Sequence, residues 1–314
     1  MFESILKLIN AHDTIILHRH KNPDGDALGS QIGLKHIILE NWPGKRVYMV
    51  GDAAGRYAFM ADSVMDDVPD AAYKNALAIV LDTSAKALIS DGRYVLAADT
   101  ARIDHHIFVE QIAQWEVTDT AYESCCGLVA QFAVENHLRL SLLAAQSLFT
   151  GMVTDSGRFR YDSTTANTFR LAAFLMEQPI DTNGIYRELY ASDLSQLQLR
   201  AHYIGKIRQT PHGVGYIYTT LEEMRQMEAD TFTISRGMVS VMADIKGMDL
   251  WVNFTETEQG VACELRSNDQ NINPIAVKYG GGGHAKASGA TVPDRETALR
   301  MLTDLDALAE GSRK

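Results

Sequence analysis

Apolar positions in the first half of the chain come in short runs that alternate with longer stretches of helical spacing. Residues 14–17, 46–50, 77–81 and 101–103 are β-rich and predict strands, while the spacing at 28–39 and 124–135 predicts helices between them. This alternation predicts an α/β fold with a mostly parallel sheet flanked by helices on both faces, in which ligands sit beyond the carboxyl ends of the strands. From 183 to 208 the chain is polar and helix-prone, with a thin apolar side made of Leu189, Leu194, Leu197 and Leu199, and it reads as a connecting helix with loops. Strands at 215–219, 250–255 and 261–266, with helices near 222–228 and 238–245, predict a second, smaller α/β unit. The expected boundaries are a first domain over 1–185, a helical linker over 186–209 and a second domain over 210–314.

Composition narrows this picture. The 314 residues favour two domains, and no apolar run approaches the roughly 20 residues that a membrane helix needs. The first residues, with Glu3 and no long apolar run, do not read as a signal peptide, so a soluble cytoplasmic protein is expected. Three cysteines, two of them the neighbours Cys125 and Cys126, are too few for a disulfide framework and read as buried thiols. A net charge of −11 argues against tight binding of long duplex, which depends on basic surface displacing counterions. Any nucleic-acid substrate is expected to be short and held at a local site.

The candidate chemistry lies where the predicted elements stop. His20, Asp24 and Asp26 share a loop broken by Pro23 and Gly25, directly after the first strand; Asp82 ends the apolar run 77–81; Asp104, His105 and His106 end the next strand. Asp155 ends the apolar helical run 148–155 and is followed by Ser156 and Gly157. One such acid is ordinary turn or cap chemistry. Several facing one crevice need a common cation, because crowded carboxylates repel. Oxygen and imidazole donors without thiolate suit manganese, magnesium, iron(II) or zinc, and the carboxylate majority favours manganese. His12, His36, His137, His202 and His212 have no companion at ligand spacing and read as structural; His18 is a candidate for supporting His20, and Trp42, Trp115 and Trp251 read as core.

At these residues the sequence resembles the DHH phosphoesterase superfamily, named for the triplet that stands here as Asp104-His105-His106. Its other motifs are matched by His20 with Asn22-Pro23-Asp24-Gly25-Asp26, by Asp82, and by Thr154-Asp155 running through Gly157 into Phe159-Arg160-Tyr161, with Ser156 where related sequences often carry threonine. The second half resembles the DHH-associated domain through Leu265-Arg266-Ser267, the stretch 271–277, the glycines 280–283 with His284, and Ala287-Ser288-Gly289. Length and domain order resemble the branch of nanoRNases and 3'-phosphoadenosine-5'-phosphate (pAp) phosphatases.

The resemblance implies an active site in the cleft between the two domains and two divalent ions, most often Mn²⁺, with Mg²⁺, Fe²⁺ or Co²⁺ as alternatives. By similarity one ion takes His20, Asp24 and Asp82 and the other Asp26, Asp82, His105 and Asp155, so that Asp82 bridges, and water activated by the ions attacks phosphorus in line. His106 is then left to meet a phosphate oxygen or the leaving group. Arg266, Gly281, Gly282, Gly283 and His284 are candidates for holding substrate, as are Arg158 and Arg160 just past Asp155. The implied partners are short RNA or DNA oligonucleotides or small nucleotides, with no membrane and with a homodimer admitted. The resemblance favours hydrolysis of short oligonucleotides, linear dinucleotides or pAp, and the alternatives are a cyclic di-AMP phosphodiesterase, an inorganic pyrophosphatase or polyphosphatase, and a nucleotide-binding module without turnover.

Overall fold

The computed structural model describes residues 1–227 and 230–311. Its contacts divide the chain into two compact units, Met1–Ala191 and Ser192–Lys314. In chain order the first unit contains α1 (Glu3–Ala11), β1 (Thr14–His18), α2 (Gly25–Asn41), β2 (Arg46–Met49), β3 (Leu77–Leu81), β4 (Asp99–Asp104), β5 (Trp115–Thr118), α3 (Cys125–Glu135), α4 (Leu142–Asp155), α5 (Ala166–Met176) and α6 (Thr182–Tyr190). The five strands form one sheet in the order β2-β1-β3-β4-β5, and every pairing is parallel. β1 and β3 are buried along their whole length, as expected for parallel strands covered on two faces.

One sheet face carries the main core, where Ile15, Leu17, Ile79 and Leu81 pack against Leu28 and Ile32 of α2, Val129 and Phe132 of α3, and Leu148 and Met152 of α4. The other face is covered by short 3₁₀ turns, Asp70–Asn75 and Gly92–Leu96, whose Tyr73 and Tyr94 close small clusters over Ile16, Ala78 and Val80. Regular helices were expected there too, and aromatic rings on tight turns do the covering instead.

Helix α2 lies against α4 at glycine distance. A Cβ at Gly25 would stand 2.5 Å from Thr154 Oγ1, at Gly29 2.6 Å from the Ser147 carbonyl oxygen, and at Gly33 2.5 Å from Leu148 Cδ2. The i, i+4, i+8 spacing puts the three on one face of α2. Gly151 of α4 answers them, since a Cβ there would stand 3.1 Å from the Asp26 Cα of α2 and 2.2 Å from Cys126 Sγ of α3. This close packing brings the end of α4 beside the start of α2.

The second unit contains α7 (Leu194–Lys206), β6 (Arg208–Gln209), β7 (Gly215–Thr219), α8 (Leu221–Gln226), β8 (Leu250–Thr257), β9 (Gly260–Ser267), α9 (Asn273–Lys278), β10 (Gly282–His284), β11 (Ala287–Val292) and α10 (Arg295–Gly311). Its sheet runs β10-β11-β9-β8-β7-β6, antiparallel except between β7 and β8. Met301 and Leu305 of α10 pack on Val252, Phe254 and Leu265, and the opposite face packs Trp251 and Ile217 against Ile234, Met242 and Tyr203.

The expected helix at 238–245 is displaced. Helical turns run from 231 to 242 and include a π-helical turn, Thr233–Gly237, and a 3₁₀ turn, Ser240–Met242. They stop short of Ile245, and Gly247 follows at φ +80°. The helix expected near 222–228 is α8, with Glu228 outside the described residues. The connecting stretch is two helices, α6 and α7, and the break between units at 191/192 falls between them. Trp115, expected in the core, is 46% exposed on the edge strand β5.

Replacing Gly29 by Ala should destabilise the protein by about 1–3 kcal/mol, the usual cost of forcing atoms into a packed interface. Gly44→Ala, where a Cβ meets nothing within 4 Å, serves as the control. Equal denaturant midpoints for the two variants would contradict the glycine packing.

Candidate active site

The strand order reverses direction at β1 and β3, and the loops leaving the carboxyl ends of adjacent strands diverge there to open a crevice. His20 follows β1, Asp82 follows β3, and Asp104, His105 and His106 leave β4. Asp24 is the N-cap of α2, its Oδ1 accepting the amides of Asp26 (3.0 Å) and Ala27 (2.9 Å). Asp155 is the last residue of α4. A cavity of about 190 Å³ is lined by His20, Asp24, Asp82, His106 and Asp155 together with Thr83, Ser84 and Leu88.

Asp82 stands at the centre. It is 2% exposed and holds φ +50°, a backbone state that non-glycine residues seldom adopt and that is often stored at functional sites. Its Oδ2 lies 3.4 Å from His20 Nε2, and its Oδ1 lies 3.5 Å from His105 Nε2 and 3.6 Å from His106 Nδ1. Although buried, Oδ1 has no hydrogen-bond partner. His105 Nε2 also lies 3.5 Å from Asp155 Oδ2 and 3.8 Å from Asp26 Oδ2, while His20 Nε2 lies 3.8 Å from Asp24 Oδ1.

The donors form three overlapping triads whose ligand atoms lie within 4.8 Å of one another: His20 with Asp24 and Asp82, Asp26 with His105 and Asp155, and Asp82 with His105 and His106. His20 Nδ1 is 2.7 Å from the Lys21 carbonyl; donating its proton there leaves Nε2 with a lone pair facing the carboxylates, as a metal-binding imidazole requires. An orphaned buried oxygen on Asp82, a member of two of these triads, with hard oxygen and imidazole donors throughout, fits a pair of divalent cations.

Electrostatics tells the same story. Burial alone would lower the His20 and His105 imidazoles, but Asp24 and Asp82 around the first, and Asp82, Asp26 and Asp155 around the second, raise both to about 10. Burial and neighbouring carboxylates push Asp155 up to about 6 and Asp26 well above the usual range. Burial would also raise Asp82, yet the His105 and His20 imidazoles beside it hold it low. Protonated imidazoles thus offset the repulsion that cations would otherwise relieve.

Several side chains that sequence reasoning left out shape the site. The Asp26 carboxylate accepts the amides of Cys125 (2.7 Å) and Cys126 (2.8 Å) at the first turn of α3, whose N-cap is Ser124. The Cys125 and Cys126 thiols are themselves pushed well up, first by burial and then by Asp26. Asp104 Oδ1 lies 2.7 Å from His106 Nδ1, and its Oδ2 accepts a bond from fully buried Arg102. Arg102 and Asp104 are two apart on β4 and share a face, a signal visible in the sequence. Arg19, also fully buried, donates to the His20 carbonyl (3.2 Å) and to Gln31 (2.9 Å).

The remaining candidates divide. Arg158, at φ +65° and exposed, lays its guanidinium 4.6 Å from the Tyr190 ring centroid, and Arg160 is exposed in the same turn. In the second unit, Arg266 Nη1 donates to Glu264 Oε2 (3.1 Å) and to the Leu265 carbonyl (2.8 Å). In the glycine run, Gly281 donates to Ala276, and Gly282, Gly283 and His284 pair with β11 as the edge strand of the sheet. A Cβ at Gly281 would stand 2.0 Å from the Gly289 carbonyl oxygen, so close strand packing accounts for that glycine. Three histidines taken as lacking companions find them through the fold: His12 with Asp99, His36 with Asp62, and His212 with Asp306. His18 is buried between Tyr73 and Tyr94, and burial holds it down to about 4.

Residues 14–152 match the DHH family, N-terminal domain, and residues 213–311 match the DHHA1 domain. The chain is 31% identical over 313 residues to the bifunctional oligoribonuclease and PAP phosphatase NrnA of Bacillus subtilis, covering 99% of each chain. It is 36% identical to the probable bifunctional oligoribonuclease and PAP phosphatase NrnA of Streptococcus mutans, covering 97% of this chain and 98% of that one. Among solved structures, an exopolyphosphatase-related protein from Bacteroides fragilis superposes with a TM-score of 0.81 at 24% identity, over 98% of this chain and 97% of that one, and supports the fold.

Metal-free protein should lose stability as pH rises from about 6.5, the ordinary imidazole value, to about 10, because His20 and His105 hold their protons more tightly when folded than unfolded. Added Mn²⁺ should displace those protons into solution and flatten the pH dependence. Thermal melts across that window with and without Mn²⁺, and an indicator dye that reports proton release, check both. A metal-free melting point that rises with pH would contradict the assignment.

Proposed function

Because the chain belongs to the DHH family of phosphoesterases, we propose that it hydrolyses short oligoribonucleotides, linear dinucleotides and pAp. The observation that carries this reading is Asp82, whose buried carboxylate sets one oxygen 3.4 Å from His20 and the other 3.5 Å from His105, each with further carboxylates beside it. His20, Asp24 and Asp82 would hold one divalent cation and Asp26, Asp82, His105 and Asp155 the other, with manganese favoured by the carboxylate majority. When bound, such ions lower the pKa of water and draw charge from phosphoryl oxygens.

The chain's own groups do the rest. The α3 amides fix Asp26, the left-handed backbone turns Asp82 into the crevice, and Lys21 sets the His20 tautomer. Hydrogen bonding to Asp104, strengthened by the Asp82 charge, raises the His106 pKa. His106 keeps its Nδ1 proton on Asp104 and offers Nε2–H, half exposed, to a phosphate oxygen or to the leaving oxygen as it gains charge. Arg266 with His284 would bind the nucleotide's other phosphate. Buried, unpaired Cys125, Cys126 and Cys263 accord with a reducing, cytoplasmic setting, and among the described residues no helix is long and apolar enough to cross a membrane.

The decisive experiment is a manganese-supplemented panel of pAp, pApA, cyclic di-AMP, RNAs of about two to five nucleotides and pyrophosphate, the length range set by the short, local site. Fast release from pyrophosphate with no action on nucleotides would overturn the reading. Asp82→Ala should lower kcat by more than about a hundredfold, since even residues that only orient a ligand cost up to that much. Normal turnover in that variant would remove the metal assignment. Arg266→Ala should raise KM more than it lowers kcat, and an unchanged KM for every substrate would take Arg266 out of the site.

A further inference from the structure

The second unit carries a polar patch on the sheet face that packs under the turns 231–242. Strand register sets His284, Ala287, Arg266 and Trp251 in one row across β10, β11, β9 and β8, and Gly282, Gly289, Glu264 and Asn253 in the row two residues away. Residues directly opposite one another, and residues two apart on a strand, share a face. Between the charged groups of these rows lie only glycine and alanine, so the floor of the patch is backbone and methyl.

Asn253 fixes what stands above that floor. It is fully buried, and its Nδ2 donates to the carbonyls of Ile234 (2.7 Å) and Ser235 (2.9 Å), which pins the π-helical turn to the sheet. π-helical turns recur at functional sites because their irregular ladder re-aims side chains. Here the turn aims Arg236 at Glu264, its Nε donating to Oε1 at 2.9 Å, while Arg266 Nη1 donates to Oε2 at 3.1 Å. One carboxylate thereby holds two guanidiniums and leaves a net charge of +1. The Nη groups of Arg236 and Nη2 of Arg266 have no hydrogen-bond acceptor among the described residues. Beside them Phe232, 67% exposed, lies 5.6 Å from the Arg236 guanidinium and offers an open ring face.

We propose that Arg236 is a second phosphate-binding arginine, held beside Arg266 by Glu264, and that the pair makes a terminal phosphate a determinant of substrate choice, with Phe232 receiving the attached base. Two arginine forks around a phosphate monoester match its charge and its three oxygens better than they match a diester or an uncharged hydroxyl. The sharing of Glu264 keeps both forks ordered before ligand arrives. The proposal rests on the reading of the chain as a hydrolase of short phosphorylated nucleotides, but it concerns binding and can be tested apart from turnover.

The test compares AMP with adenosine as ligands of the full-length chain in EDTA, for the wild type, Arg236→Gln and Arg236→Lys, and then compares pApA with 5'-hydroxyl ApA as substrates in Mn²⁺. Arg236 is exposed enough for its replacement to leave the melting temperature unchanged. Arg236→Gln should weaken AMP about tenfold, the loss of one charge-assisted pair, and leave adenosine unchanged, with Arg236→Lys between. The KM for pApA should rise by a similar factor while that for ApA stays constant. A wild type that binds AMP no better than adenosine, or a variant that loses both equally, would overturn the proposal. A wild type that turns over neither dinucleotide would overturn the hydrolase reading, and the AMP-to-adenosine ratio would still decide for or against Arg236.

Discussion

Negative charge concentrated at the ends of parallel strands is the constraint on which this structure turns. Asp24, Asp82 and Asp155 line one cavity with Asp26 buried beside His105 and Asp155, and carboxylates crowded in this way repel one another. The fold answers with three sources of positive potential: amides at the starts of α2 and α3, imidazoles after β1 and β4, and room for cations between them. Each is supplied by an element end, which is why the site sits where the sheet order reverses and not along any strand.

The scaffold makes that convergence possible by removing side chains. Asp155 reaches the cavity because α4 lies against α2 at a distance that only glycine permits at positions 25, 29 and 33, with Gly151 opposite. The same contact surrounds Asp26 with α3 and α4, so that its burial and its amide partners come from one packing event. Geometry at the candidate site is therefore a property of the core, and changes to helix packing should be felt there.

Much of this was legible in the sequence, and for identifiable reasons. Apolar runs that stop at an acid, as at Asp82 and Asp104, mark strand ends directly, and the glycine and proline around Asp24 mark the loop. What escaped was carried by contacts distant in sequence. The amides of Cys125 and Cys126 lie about a hundred residues from the Asp26 carboxylate they meet, and backbone groups leave no compositional trace. The histidines at 12, 36 and 212 looked unpaired because their acids arrive through the fold. The turns 231–242 were misplaced because their register answers to Asn253 on β8, a contact distant in sequence.

The two cysteines at the start of α3 carry a consequence of their own. A thiol in the first turn of a helix is ordinarily activated, its anion favoured by the local dipole. Here Asp26 has already taken the amides and brought its charge alongside, so both thiols stay protonated. Sulfur thus lies against the donor set without joining it. Two sulfurs at the edge of the cluster are thereby kept as neutral thiols, and the donors that face it are oxygen and imidazole, because of where one carboxylate was placed.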